Sequence, residues 1–261
     1  MRLLKDLRES LREPGFWTYG VWLDIISKNR RNRFGPLWLF APTAILVLVL
    51  GKVYSQLMNH PLHDYLPYLG VGYAHWRLMT QAISQSSDAF ASYRSFIMDG
   101  RVRLTDYLLR MLARSLFHYG AAMLVIVCVL VWSPAVKLSG MLSLALTLPV
   151  FLLNAFWIST VLGLLGARFP DTREVVGAVM TFGFLLTPIL WYASKFTESS
   201  TRGHFVRLNP FYHLIDFVRA PVIGHPMATD TWIYVAVMTV GGWLLAALLY
   251  RRYGRFVPLW I

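Results

Sequence analysis

The chain has 261 residues, 56% of them hydrophobic and only 15% charged, with a formal charge of +12 at pH 7. A soluble domain usually carries about 25% charged residues, so the composition points to a membrane protein. A nucleic-acid binder would gather its positive charge on one face or helix, whereas here the basic residues sit at the ends of long apolar runs, which argues against that class.

The chain opens on a segment, residues 1–33, rich in charge. Within it "FWTYGVWLDII", residues 16–26, brings Trp17, Trp22, Ile25 and Ile26 near one helical side, with Arg12 and Lys28 available to anionic headgroups. That is the pattern of an amphipathic helix lying in the membrane interface. The Pro14-Gly15 pair separates it from the charged helix before it. A cytoplasmic tail packed on its own domain is the other reading.

In "KNRRNRFGPLWLFAPTAILVLVLG", residues 28–51, a basic cluster meets an apolar run without transition. A cleavable signal peptide has a short basic region, an apolar core of ~7–15 residues and a small-residue cleavage site, none of which fits. The run over residues 34–57 is instead a first membrane span, held at its basic end. Five more spans are expected, at residues 65–86, 107–131, 141–165, 175–193 and 232–250. The expected fold is therefore an all-α polytopic membrane protein with six transmembrane helices over residues 34–250 and a tail at 251–261. Barrel strands of ~9–11 residues do not fit such continuous runs. On this partition one side receives sixteen Lys and Arg and the other five, which assigns both termini to the cytoplasm.

After the second span, "SDAFASYRSFIMDGRVRLTDY" predicts a short helix over residues 89–99 with Phe90, Tyr93, Phe96 and Ile97 as an apolar stripe, stopped by Gly100 and followed by Arg101 and Arg103. Such a helix needs a cover, either a separate soluble subunit or the protein's own membrane helices. "ARFPDTREVVG" is a short connection in which Pro170 ends one helix and Asp171 or Thr172 caps the next. Between spans five and six, residues 194–229 hold "RLNPFYHLIDFVRAPVIG", started at Asn209-Pro210 and carrying Phe211, Leu214, Ile215 and Val218 on one side. Two short re-entrant helices at the outer face are expected, provided that their broken ends are covered; a small cap resting outside the membrane is the alternative.

Arg77, in the middle of the second span, is the costly residue, since lipid exposure there costs ~2.5 kcal/mol or more. Tyr73, Trp76 and Thr80 lie near its side of the helix. Arginine with tyrosine and tryptophan suits a sugar polymer, the rings for pyranose faces and the guanidinium for carboxylate or phosphate. Arg77 paired to a neighbouring span, with the rings in an interface belt, is an equal reading. Trp191 and Tyr192 are placed at the outer end of the same path or in that belt. No catalytic constellation stands out among the seven histidines, and there is no phosphate-binding loop. The chain is expected to be no enzyme, to bind no cofactor or metal, and to leave any ATP to another polypeptide. The single cysteine, Cys128, excludes an intrachain disulfide.

Taken in order, the N-terminal amphipathic helix, "RFGPLWLFAPTAILVLVLG", "RSFIMDGRVRL", "RFPDTREVVG", "LLTPILWY" and "LNPFYHLIDFVRAPVIG" resemble the membrane subunits of ABC exporters for bacterial surface polysaccharides. The chain is most similar to the KpsM-type capsular permeases, with the Wzm-type O-antigen and teichoic-acid permeases as near relatives. The resemblance implies a type V ABC exporter in the bacterial inner membrane. It implies two copies of this chain, two copies of a cytoplasmic ATPase that holds ATP and Mg, and a lipid-linked acidic polysaccharide as cargo. Periplasmic and outer-membrane export proteins would take that cargo onward. It further implies that residues 89–99 form the coupling helix, docking through Tyr93, Phe96, Ile97 and Arg101, that Trp17, Trp22 and Ile25 mark the interface helix, and that Asn209, Pro210 and Phe211 open the re-entrant segment. Tyr73, Trp76, Arg77, Trp191 and Tyr192 as polymer contacts follow from their chemistry. A permease for small hydrophobic drugs or lipids would need a more apolar path.

Overall fold

The computed structural model describes residues 2–30, 37–100, 102–133, 138–196 and 200–261, with backbone alone for 28–30, 138 and 139. Helices α1 (Arg2–Arg12) and α2 (Gly15–Arg30) precede α3 (Leu37–Met58) and α4 (Leu62–Ser86). Two single turns, α5 (Ala89–Ser92) and α6 (Arg94–Met98), lead into α7 (Leu104–Trp132), followed by α8 (Leu138–Leu142), α9 (Leu144–Arg168) and α10 (Thr172–Leu186). The chain continues through α11 (Thr201–Leu208), α12 (Pro210–Val222), α13 (Thr229–Tyr253) and a last turn, α14 (Val257–Trp260). No strand occurs among the described residues.

Among the described residues four stretches are long and apolar enough to cross a membrane: Leu37–Met58, Leu104–Trp132, Gly140–Arg168 and Thr229–Trp260. This corrects the expectation of six spans, and the six-span type V outline with its re-entrant helices falls with it. The two missing spans fail for different reasons. Helix α10, the expected fifth, has 15 residues, about 22 Å at 1.5 Å per residue, against a hydrocarbon core of ~30 Å. Helix α4, the expected second, has 25 residues, but Tyr, His, Trp, Arg, Gln and Ser interrupt its apolar character. Most of α4 is buried under α7, α3, α9 and α12. A helix shielded from lipid by protein can carry polar groups that a lipid-facing one cannot. The sixteen-to-five division of basic residues was drawn on six spans and loses its footing; four crossings, like six, return both termini to one side.

The outer surfaces of α3 and α13 are apolar and exposed, through Ile45, Leu48 and Val53 on one and Val237, Val240 and Leu248 on the other. Inside, the core runs along the bundle as two clusters. One gathers Leu69, Met79, Ile126, Phe151, Ile189 and Val218; the other gathers Leu3, Phe90, Ile97, Tyr107, Leu164 and Tyr250. Leu3 comes from α1, so the charged first helix is docked rather than trailing. Ser10 bonds Thr105 across hydroxyls at 2.7 Å, Arg103 pairs with Glu9 and Glu13 at 3.0 and 2.9 Å, and the Tyr250 hydroxyl donates to Asp6 at 2.8 Å.

Local chemistry sets the element ends. The Asp106 carboxylate accepts from the Arg103 N–H at 3.1 Å to start α7, the carboxylate sitting at the positive end of the helix. Gly100, at φ +67°, ends the turn after α6. The Asn209 side chain accepts from the Phe211 N–H at 2.9 Å, with Pro210 in the first turn of α12, an arrangement that leaves no proline N–H unpaired. Neither Asp171 nor Thr172 makes the expected cap: Asp171 is the residue before α10 and its side chain accepts no capping bond.

Candidate functional site

A polar cleft of about 430 Å³ opens between α2, α3, α4 and α7. Successive positions on one face of α4, spaced by four, supply Arg77, Gln81 and Gln85. Helix α7 adds Arg114 and His118, α2 adds Asp24 and Ile25, and α3 closes the cleft with Trp38, Leu39 and Pro42. Arg77 donates to the Thr43 hydroxyl at 2.7 Å and has no carboxylate within ion-pair distance among the described residues. Arg114 donates to the Gln85 amide oxygen, with Nε at 3.0 Å, and reaches Asp24 only at 3.8 Å. Asp24 is committed elsewhere, to Arg110, through two bonds of 3.0 and 2.7 Å. One carboxylate thus serves two guanidinium groups while Arg77 has none among the described residues, and the cleft keeps an excess of positive charge against an apolar wall. Arg77 was legible in the sequence as a costly residue. Arg114, Gln85 and Asp24 were not, because each looks ordinary in its own segment and only packing brings them together.

The expected polymer contacts divide among three places. Arg77 faces the cleft. Trp76, one residue earlier and about 100° around the helix, is buried against α10 and α12, its ring 5.9 Å from Phe184 and 5.4 Å from Phe211. Tyr73 is half-buried, edge-on to Phe184 at 6.4 Å. Trp191 and Tyr192 lie beside the start of α4, about 14 Å along its axis from Arg77 by rise per residue. Tyr192 rests on Tyr68 at 4.2 Å and on His60 at 4.6 Å, and burial pushes its phenol up to about 12, so it stays a neutral donor. Trp191 packs edge-on to Phe196 and forms part of the wall of an apolar cavity of about 780 Å³ together with Phe182, Leu186, Phe205 and Phe211.

The single helix expected over residues 89–99 is two turns broken at Tyr93, whose φ and ψ are −113° and 23°. Phe90 and Ile97 point into the core. Tyr93 stacks on Tyr107 at 5.2 Å with the Arg110 guanidinium 4.8 Å above it. Phe96 points outward, 51% exposed, next to exposed Met98. Of the apolar stripe, the inner half is therefore covered by the protein itself and the outer half is not. Arg101 lies outside the described residues. In α2, Trp17 donates its indole N–H to the Ser10 carbonyl at 3.0 Å, Ile25 lines the cleft, and Trp22 is exposed. Asn209 also donates to the Thr187 hydroxyl at 2.9 Å, tying the start of α12 to the end of α10. Pro210 is exposed and Phe211 faces Trp76.

Arg219 was read only as the end of an amphipathic segment, yet it is among the most buried side chains in the protein, at 2% exposure. Its neighbour spacing to Asp216, three residues back on α12, was the one available signal.

The sequence profile of the ABC-2 type transporter family matches residues 18–223. Over 257 residues the chain is 20% identical to the O-antigen export system permease protein RfbA of Myxococcus xanthus, an alignment covering 97% of this chain and 98% of that one. With the family profile spanning α2 to α12 and three of the four apolar crossings inside it, the chain belongs to the ABC-2 type transporter family, as a non-catalytic, multi-pass membrane permease subunit.

Proposed function

We propose that this permease exports a lipid-linked surface glycan of the O-antigen type across the bacterial inner membrane. Its similarity to the Myxococcus xanthus O-antigen permease extends over nearly the full length of both chains, which favours the O-antigen reading over the capsular one. The observation that carries the substrate chemistry is the cleft, where among the described residues Arg77 has no carboxylate partner and Arg114 reaches only Asp24, at 3.8 Å, which is already committed to Arg110. Guanidinium groups in such surroundings bind phosphate or carboxylate well, the groups that a lipid-linked acidic glycan would present. The working unit is taken as two copies of this chain with two copies of an ATPase, which docks through exposed Phe96 and Met98. Both termini are assigned to the cytoplasmic side, supported by the run of basic residues in α1 and α2.

The test is Arg77→Leu in the exporter reconstituted with its ATPase, with assembled protein and exported glycan measured in the same vesicles. Removing a charge-assisted bond worth ~1.5–3 kcal/mol should slow export roughly 10- to 150-fold while assembly is kept. Arg77→Lys should restore only part of it, because a point charge lacks the planar fork. Normal export by well-assembled Arg77→Leu protein would remove the cleft from the transport path.

A further inference from the structure

Past Thr187, whose N–H closes the last bond of α10 to the Gly183 carbonyl at 2.9 Å, the chain leaves the helix, and the carbonyls of Pro188, Leu190 and Trp191 need other partners. They find them in side chains from α4 and α12. The Tyr65 hydroxyl donates to the Leu190 carbonyl at 2.7 Å, and the Tyr68 hydroxyl lies 3.0 Å from the Pro188 carbonyl and 2.9 Å from that of Trp191. Arg219 supplies the charged member, donating to the Pro188 carbonyl at 2.7 Å and to Asp216 at 3.1 Å. Its guanidinium carbon sits 3.9 Å from the centre of the Tyr68 ring, close enough for a cation–π attraction. Gly72 makes this possible: a Cβ there would stand 3.3 Å from one guanidinium nitrogen, so α4 carries no side chain where the arginine passes.

One side chain thus joins three separate parts: α12, α4 and the turn that bears Trp191 and Tyr192. A buried arginine costs several kcal/mol to desolvate, and a purely apolar side chain would fill the same space more cheaply. What the apolar side chain cannot do is bond a carbonyl on a non-helical connection and stack on a tyrosine at once. We propose that Arg219 is a positioning residue that locks the turn at residues 187–192 to α4, and so fixes Trp191 in the wall of the apolar cavity and Tyr192 against His60. The consequence for transport rests on the export reading above; the clamp itself does not.

Two arms test it, both on the full chain assembled with its ATPase and with exposed Cys128 replaced by serine. In the first, cysteines at His60 and Tyr192, whose native rings are 4.6 Å apart, are joined by a short bifunctional maleimide that spans the space the two rings vacate, and the rate is followed with and without Arg219→Gln. The clamp predicts a crosslinking rate at least about fivefold lower in Arg219→Gln, as a fixed contact becomes a fluctuating one, with an unchanged size-exclusion profile. In the second, without those cysteines, Arg219→Gln should lower glycan export while basal ATP hydrolysis persists. Should Arg219→Gln fail to assemble, Gly72→Ala replaces it, since it displaces an intact arginine by tenths of an ångström, and it should slow crosslinking in the same direction. Wild-type crosslinking in assembled Arg219→Gln or Gly72→Ala protein overturns the clamp. Slowed crosslinking in an exporter that moves some other cargo supports the clamp and overturns only the export reading.

Discussion

Replacing Asp24 with asparagine should release α2 from α7 without unfolding the bundle. The carboxylate makes two charge-assisted bonds to Arg110, of 3.0 and 2.7 Å, and a longer contact of 3.8 Å to Arg114. Asparagine keeps one acceptor and turns an amide N–H₂ toward the guanidinium. Breaking a fully buried pair costs 3–5 kcal/mol; here the side chains are 13% and 24% exposed, and water recovers part of that. A loss of about 2–3 kcal/mol remains, a shift of roughly 30- to 150-fold in the docking equilibrium of α2. Hydrogen exchange of the α2 amides in lipid nanodiscs reads this directly, because local opening sets their exchange. Exchange over residues 15–27 should accelerate by that factor while α9 and α13 amides are unaffected. Arg110→Gln added to Asp24→Asn should change little further, as expected of a coupled pair. Unaltered α2 exchange in Asp24→Asn would show that apolar packing, and not this ion pair, holds the helix, and the cleft would lose its α2 wall as a designed feature.

Phe96→Asp, at an exposed apolar position, should weaken co-purification of the ATPase by about 2–5 kcal/mol if a partner buries that ring, with membrane insertion intact; an unchanged subunit ratio would end the coupling assignment. A methyl group at Gly166 would overlap the backbone carbonyl of Ser87, which cannot yield as a side-chain tip can; Gly166→Ala should cost ~1–3 kcal/mol or more and lower the thermal midpoint of the assembled protein, and an unaltered midpoint would refute the close approach of α9. His213 has its Nε2 2.7 Å from the Arg207 carbonyl and its Nδ1 3.1 Å from the Thr231 hydroxyl, and burial holds it below the ordinary histidine value. The unfolded chain therefore binds the proton more readily, so this site loses stability as pH falls through about 6.5 toward the lowered folded value; His213→Gln should flatten that acid loss in a thermal-shift series, and an unchanged acid slope would refute the assignment.

The sequence made the membrane class legible because lipid contact imposes long apolar runs, and α3, α7, α9 and α13 carry them. Its misjudgement of α4 and α10 has a common origin: hydropathy reports what faces lipid, not what is covered by protein. Residues 65–86 read as a membrane span with a costly Arg77, although the polar groups there belong to a helix enclosed by its neighbours. The pair α11 and α12 was visible from Asn209-Pro210 and Gly224, since caps and breakers act locally. The cleft was half visible. An arginine in an apolar run is conspicuous alone, whereas Asp24 and Gln85 acquire meaning only from positions more than 25 residues away that packing brings beside them.

Helix α4 is where these features meet, and its position explains why. One end gives Tyr65, Tyr68 and Gly72 to the clamp on the turn at residues 187–192, and the other gives Arg77, Gln81 and Gln85 to the cleft. A lipid-facing helix could hold neither set, because each uncovered polar group would cost kcal/mol in hydrocarbon. Enclosure by α3, α7, α9 and α12 removes that constraint and leaves α4 free to carry polar chemistry at both ends of one rigid rod. A displacement at the cleft would then reach the turn along some 14 Å of helix with little bending. The expected signature is energetic coupling between Arg77→Leu and Arg219→Gln in glycan export, beyond the sum of the two single losses; strictly additive effects would mean that the two ends of α4 act independently.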